Sequence, residues 1–330
     1  MPLLLTIYIY HKYLTFYQVI LMQRSYVTNN HLVSKFNEIG GYFEDGNEVP
    51  EHLYIQFVQE LGVSNLLIPG IIEDDSLSFD ILTSDDESID VLPLFSDDEA
   101  FIECYGEDSE FDPIANDIRF YIDLLNESGL DGILFNPDSV DFLLEKDMLE
   151  NLPLLPVIET DDESEGYDGE QLMKIAQDAA NDSLIEFLKS DDDSFEALML
   201  ELQKSTLLNV VVSEEDLSVY AKNGVISSED AGEFLLCTTG DEETQLGVLF
   251  TGTDAIRQGL DDESEMNYYC QVALLGEFLE FVLKSDMDGI IINPGSDDYL
   301  IGREALLEAY GGLTLDNPAF KNAMDYAFML

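Results

Sequence analysis

Apolar residues fall at helical spacing in two places far apart in the chain. Phe57, Val58 and Leu61 share one face, and Leu198, Met199 and Leu202 repeat the same spacing. Each run leads into an unbroken apolar stretch, LLIPGII (66–72) or LLNVVV (207–212), which reads as a buried strand. FDILTSDDESIDVLPLF (79–95) and FLLCTTGDEETQLGVLF (234–250) then each place two apolar arms around an acidic turn, the pattern of a hairpin. A short helix containing Ala100 or Ala255 follows. The segments NDIRFYIDLLNES and CQVALLGEFLEFVLKS predict longer helices, and their runs 120–125 and 278–283 predict core faces. Strands at DGILFN and DGIIIN come next, and FLLEKDMLENL or YLIGREALLEAY closes each series with a strand and a helix.

The two series are one unit written twice. Asp131, Gly132, Ile133, Asn136, Pro137, Ser139, Asp141 and Leu143 of DGILFNPDSVDFL recur 157 positions later in DGIIINPGSDDYL (288–300), and the hairpins align without gaps at an offset of 155. Strands come in runs and helices are not strictly interleaved, which predicts an α+β fold. The expected organisation is two homologous domains, at 22–155 and 176–311, each a small, mostly antiparallel sheet covered by helices. An acidic linker occupies 156–175, and 312–330 is left as a C-terminal tail. The second copy carries about a dozen extra residues near LSVYAKNGVISS, the size of an enlarged loop or an added turn.

With 46% apolar residues in a chain of 330, a sizeable core is available, which excludes a wholly disordered protein. Charge changes the picture more: 70 acidic residues stand against 13 basic ones, a formal −57. Such a surface repels phosphate backbones, and no basic patch offsets it, because Arg24, Arg119, Arg257 and Arg303 are scattered. Nucleic acid is excluded, and anionic membranes are disfavoured. The acidity fits either a high-salt cytoplasm that screens it or a basic protein partner steered by it. Cys104, Cys237 and Cys270 are odd in number, widely spaced and set among apolar residues. They read as core thiols of a reducing, cytoplasmic compartment, without a disulfide framework or zinc site. Residues 1–21 contain none of the acidic residues. Three readings stand: a start codon placed too far upstream, a membrane anchor with Lys12 at its middle, or an extra edge strand.

The helix followed by Asp-Gly, three apolar residues, Asn-Pro, a polar turn and a further strand resembles the SseB N-terminal-type domain, the enhanced serine sensitivity family. The stretches PLFSDDEAF (93–101) and LFTGTDAI (249–256) resemble the same family's segment before its helix. The second copy is the closer match, with Asn293, Pro294 and Gly295 where the first has Asp138 in the glycine position. The resemblance covers most of both copies and implies a tandem SseB-like protein. It implies a fold and assigns no catalytic residue.

Within the repeat, Asp131, Gly132, Pro137, Asp288, Gly289 and Pro294 read as turn chemistry, with glycine permitting positive φ at the helix-to-strand junction. The loop after the Asn-Pro strand is the candidate contact surface: Asn136, Ser139, Asp141 and Phe142, with Asn293, Ser296, Asp298 and Tyr299. The acidic turns (Asp85, Asp86, Glu87; Asp241, Glu242, Glu243) read as solvated, since a charged turn alone does not converge oxygens on a cation, and no EF-hand loop is present. Phosphate-loop, dinucleotide, zinc-protease and nucleophile-elbow patterns are absent, and His11, His31 and His52 all lie near the N-terminus. The leading expectation is therefore a non-enzymatic acidic interaction module with no catalytic residue, metal or cofactor. The rival is a small-ligand or divalent-metal enzyme using Asp288, Asp297 and Asp298.

Overall fold

Phe57, Val58 and Leu61 are buried along one helix face, as their spacing predicts. The computed structural model describes residues 5–7, 27–44, 46–73, 76–83, 89–137, 139, 142–149, 166–190, 194–232, 234–241, 244–260, 267–310 and 323–329. The architecture is α+β. The chain divides into two compact units, Met1–Leu155 and Pro156–Leu330.

The first unit runs β1 (Leu5–Ile7), α1 (Asn30–Glu44), α2 (Glu51–Val63), β2 (Asn65–Glu73), β3 (Ser76–Phe79), β4 (Leu82–Thr83) and β5 (Asp90–Leu94). It continues with α3 (Asp98–Tyr105), β6 (Asp112–Asp117), α4 (Ile118–Ser128), β7 (Gly132–Phe135), β8 (Phe142–Glu145) and α5 (Lys146–Leu149). It builds two small sheets where the sequence predicts one. One is antiparallel in the order β1-β3-β2-β6, and the other has the order β4-β5-β7-β8 with β5 and β7 parallel. Leu67 and Phe95 exchange backbone bonds of 2.9 and 2.8 Å and stitch the sheets at a corner. Asp97 and Asp117 cap α3 and α4 by accepting from Ala100 and Phe120 N–H, and Gly129 closes α4 at φ 74°. The main core sets Phe36 of α1, Phe57 and Leu61 of α2 and Tyr121 of α4 against Ile68, Ile114, Ile133 and Phe135 from both sheets.

The second unit runs α6 (Gly169–Asp178), α7 (Asp182–Leu188), α8 (Phe195–Lys204), β9 (Leu208–Ser213), β10 (Val225–Ser227), α9 (Ser228–Ala231), β11 (Leu235–Leu236), β12 (Thr238–Gly240) and β13 (Gln245–Leu249). After α10 (Thr253–Gly259) come β14 (Asn267–Val272), α11 (Leu275–Lys284), β15 (Gly289–Ile292), β16 (Tyr299–Gly302), α12 (Arg303–Tyr310) and β17 (Tyr326–Met329). Its sheet β12-β13-β15-β16 repeats the order and the parallel central pair of the first unit, and Leu208 with Phe250 repeats the corner. The other sheet is larger, β10-β17-β14-β9-β11.

Several expectations change. The predicted linker ends before residue 168: Asp168 and Gln171 form a reciprocal capping box, and Leu172 and Ala176, one turn apart, bury against the core. The predicted tail is structural in part, since β17 inserts between β10 and β14. The insertion near 217–228 supplies a 3-10 turn (Leu217–Tyr220) as well as β10 and α9. Residues 270–272, expected as the start of a helix, form the end of β14 (Asn267–Val272) instead. Leu5–Ile7 pair with Leu77–Phe79 as an edge strand; the rest of 1–21 lies outside the described residues. Among the described residues no helix is long and apolar enough to cross a membrane.

Candidate functional site

The repeated Asp-Gly…Asn-Pro strand lies beside the second arm of the hairpin, and its polar residues fasten that parallel pair at both ends. At the first end, Asp131 N–H donates to Asp90 O (2.8 Å) while Asp131 Oδ2 accepts from Asp90 N–H (2.9 Å). Asp288 repeats this on Gln245 at 2.8 and 2.7 Å. The carbonyls of Asp131 and Asp288 accept from Lys146 and Arg303 N–H, tying the final helix to the same point. The adjacent glycine is required by space. A Cβ on Gly132 would stand 2.6 Å from Leu144 O, and one on Gly289 would meet Ile301 O. Gly132 needs no positive φ, so the expectation of a left-handed junction there gives way to close approach of the neighbouring strand.

At the other end stand Asn136 and Asn293, with φ 43° and 53°, a conformation asparagine tolerates better than other non-glycine residues. Asn136 Oδ1 accepts from Ser96 N–H and its Nδ2 donates to Ser96 Oγ, both at 2.8 Å. Asn293 does the same on Thr251 N–H and Oγ1 at 2.9 Å each, and its Nδ2 also donates to Asp297 Oδ2 at 2.8 Å. Their own N–H groups bond Leu94 O and Leu249 O. The contact reading of these two residues is therefore corrected: they are 3% and 1% exposed, with both amide atoms engaged inside their units. Phe142 is corrected likewise. It is half-buried against Phe36 and Phe57, with ring centroids 5.5 and 5.9 Å apart. Pro137 is buried and Pro294 half-buried.

Ser139, Ser296 and Asp298 are exposed and Tyr299 is half-exposed; Asp141 lies outside the described residues. Asp298 Oδ1 accepts from Gly295 N–H at 2.7 Å and closes its turn. The three-carboxylate centre is also overturned. Asp288 immediately precedes β15 while Asp297 and Asp298 follow its far end, and a four-residue strand separates the ends by ~13 Å at 3.3 Å per residue. The turn at Asp241 is spent locally, with Asp241 Oδ1 accepting from Thr244 N–H; Glu242, Glu243 and Asp85–Glu87 lie outside the described residues.

A second pair of asparagines completes the brackets, and the sequence reading missed it. Asn29 Nδ2 donates to Asn65 O and Ser96 O, while Asn181 Nδ2 donates to Thr206 O and Thr251 O. In each unit two asparagines distant in sequence therefore hold one hydroxyl residue, Ser96 or Thr251. Extending the hairpin alignment by one residue pairs those hydroxyls and exposes the signal. Compared with models of protein families, with curated proteins and with solved structures, the chain matches none.

Proposed function

We propose that the chain is a non-enzymatic, tandem SseB-like interaction module of the cytoplasm that docks a basic protein through acidic, exposed strand edges. The observation that carries this reading is charge. Thirteen cationic side chains cannot neutralise 70 carboxylates, so a net field of −57 faces outward and favours encounter with a cationic partner. The contact surface narrows to the exposed residues around β8 and β16. Ser296, Asp298 and Leu300 are exposed in one unit, Ser139 and Leu143 in the other, and Leu300 at 60% gives an apolar anchor beside the carboxylate. β8 and β16 also end their sheets and leave one edge of backbone groups open to pairing among the described residues.

The test is capture from native lysate on the immobilised full chain, eluted in steps of rising salt, beside a Leu143→Lys/Asp298→Lys/Leu300→Lys variant. A basic protein held at fixed stoichiometry, released at a defined step and lost from the variant is the expected result. Equal retention by the variant overturns the surface. A smear released at low salt overturns the module.

A further inference from the structure

α3 and α10 are the same element of the duplication, 155 positions apart, and their outward residues differ in charge. The first unit carries Asp98 and Ile102 where the second carries Thr253 and Arg257. Asp98 Oδ2 is engaged by Val27 N–H at 2.6 Å. In the second unit the same corner borders a cavity of about 270 Å³. Ala176 of α6, Cys270 of β14 and Phe328 of β17 are buried and make an apolar floor; Gln177 and Arg257 are exposed and, with Thr253, make a polar rim, with two methionines alongside. The floor is uncharged at neutral pH, because burial pushes the Cys270 thiol up to about 12.

We propose that this cavity binds a small monocarboxylate of about seven or eight carbons in all. A half-open cavity with an apolar floor and polar groups along its rim suits an amphipathic ligand. The volume of about 270 Å³ sets its size, since at the ~30 Å³ that a liquid water occupies it holds roughly nine non-hydrogen atoms. Arg257 sets the sign of the head group. Its ion pair with Asp254 is 2.9 Å long with the two side chains 60% and 90% exposed, a pair that contributes little, so the guanidinium fork is free to turn onto a carboxylate. Gln177 and Thr253 add an amide and a hydroxyl within the same rim. The chain's general negative charge opposes any anion, and salt near 0.15 M confines that opposition to about 8 Å. None of the residues lining the cavity belongs to the partner surface around β16.

The test titrates the full chain with sodium octanoate at 0.15 M salt by calorimetry, with octylammonium as the cationic match. A Thr253→Asp/Arg257→Ile variant carries the first unit's residues at the rim, and its melting temperature verifies folding. One saturable octanoate site per second unit is expected, weakened at least tenfold in the variant and absent for octylammonium. Amide exchange of Tyr326–Met329 slows with octanoate in the parent chain only, because β17 forms part of the floor. No saturable heat up to about 5 mM, equal binding of octylammonium, or unchanged affinity in the variant overturns the proposal.

Discussion

Replacing Asn293 by alanine separates a bracket from a contact residue. The side chain satisfies Thr251 N–H and Thr251 Oγ1 at 2.9 Å and Asp297 Oδ2 at 2.8 Å, and it sits at φ 53° while 1% exposed. Alanine leaves the buried Thr251 N–H without its acceptor, which costs about 1–3 kcal/mol. It also forfeits the two donated bonds at about 1 kcal/mol each and adds ~1 kcal/mol because alanine tolerates the left-handed region less well than asparagine. With partial overlap among these, the expected loss is about 3–5 kcal/mol. At an m-value near 2 kcal/mol/M this lowers the urea midpoint of the second unit by about 2 M. Far-ultraviolet circular dichroism of the full chain follows both units, and hydrogen exchange of Ile290–Ile292 assigns the transition. Asn293→Gly recovers roughly 1 kcal/mol by relieving the backbone alone, and Asn136→Ala imposes a similar loss on the first unit. A shift under about 0.4 M for Asn293→Ala refutes the bracket and restores the contact reading.

Gly132→Ala brings a Cβ to 2.6 Å from Leu144 O and lowers stability by about 1–3 kcal/mol, whereas Gly40→Ala in α1, with nothing within 4 Å, raises it by ~0.5–1 kcal/mol; thermal melting reads both. Burial raises the Cys270 thiol from 9.0 to about 12, so the folded state keeps a proton that the unfolded chain releases above pH 9. Stability therefore falls as pH rises, by about 1.4 kcal/mol between pH 8 and pH 10, and urea midpoints of Cys270→Ala lack that increment. Asn209 and Gln271 face each other across β9 and β14, each with a buried amide oxygen that has no hydrogen-bond partner, while Gln271 Nε2 donates to Met324 O at 2.7 Å. Asn209→Ile/Gln271→Ile leaves stability within about 1 kcal/mol of the parent or raises it. The same variant speeds exchange of Tyr326–Met329, because the bond to Met324 is lost.

The elements that sequence pattern revealed are those whose chemistry is local. Phe57, Val58 and Leu61 mark a helix because one face must be apolar, and the two hairpins show because apolar arms flank a polar turn. β6 stayed hidden because Asp112-Pro113 and Asn116-Asp117 depress strand propensity, and β14 because CQVALL continues smoothly into a helix. Both are strands only because β2 and β9 pair with them along their lengths. Asp-Gly and Asn-Pro were legible as turn chemistry, yet no local pattern marked Asn136 and Asn293 as turning inward. That direction is set by Ser96 and Thr251 on another strand, and no spacing along the chain records it.

What the two units keep and what they change follow from one physical difference. A left-handed asparagine bonded on both faces of its amide has no substitute, and both units retain it with its hydroxyl partner. An apolar site asks only for volume and is freer to change. Phe57 and Leu198 exchange on that basis. Tyr121 and Phe278 exchange at a greater cost. The Tyr121 hydroxyl lies 2.8 Å from Leu66 O and 2.9 Å from Ile114 O, and burial together with Asp117 pushes its pKa well above the ordinary value. The edges diverge too. Pro113 of β6 stands, in the duplication, where β14 has Cys270, and its missing N–H blunts an edge strand. Cys270 instead pairs with Phe328 of β17, and that added strand, together with α6, walls the cavity beside Arg257. The shared brackets hold a scaffold in place twice, so any activity that distinguishes the second unit belongs to the elements added around β14.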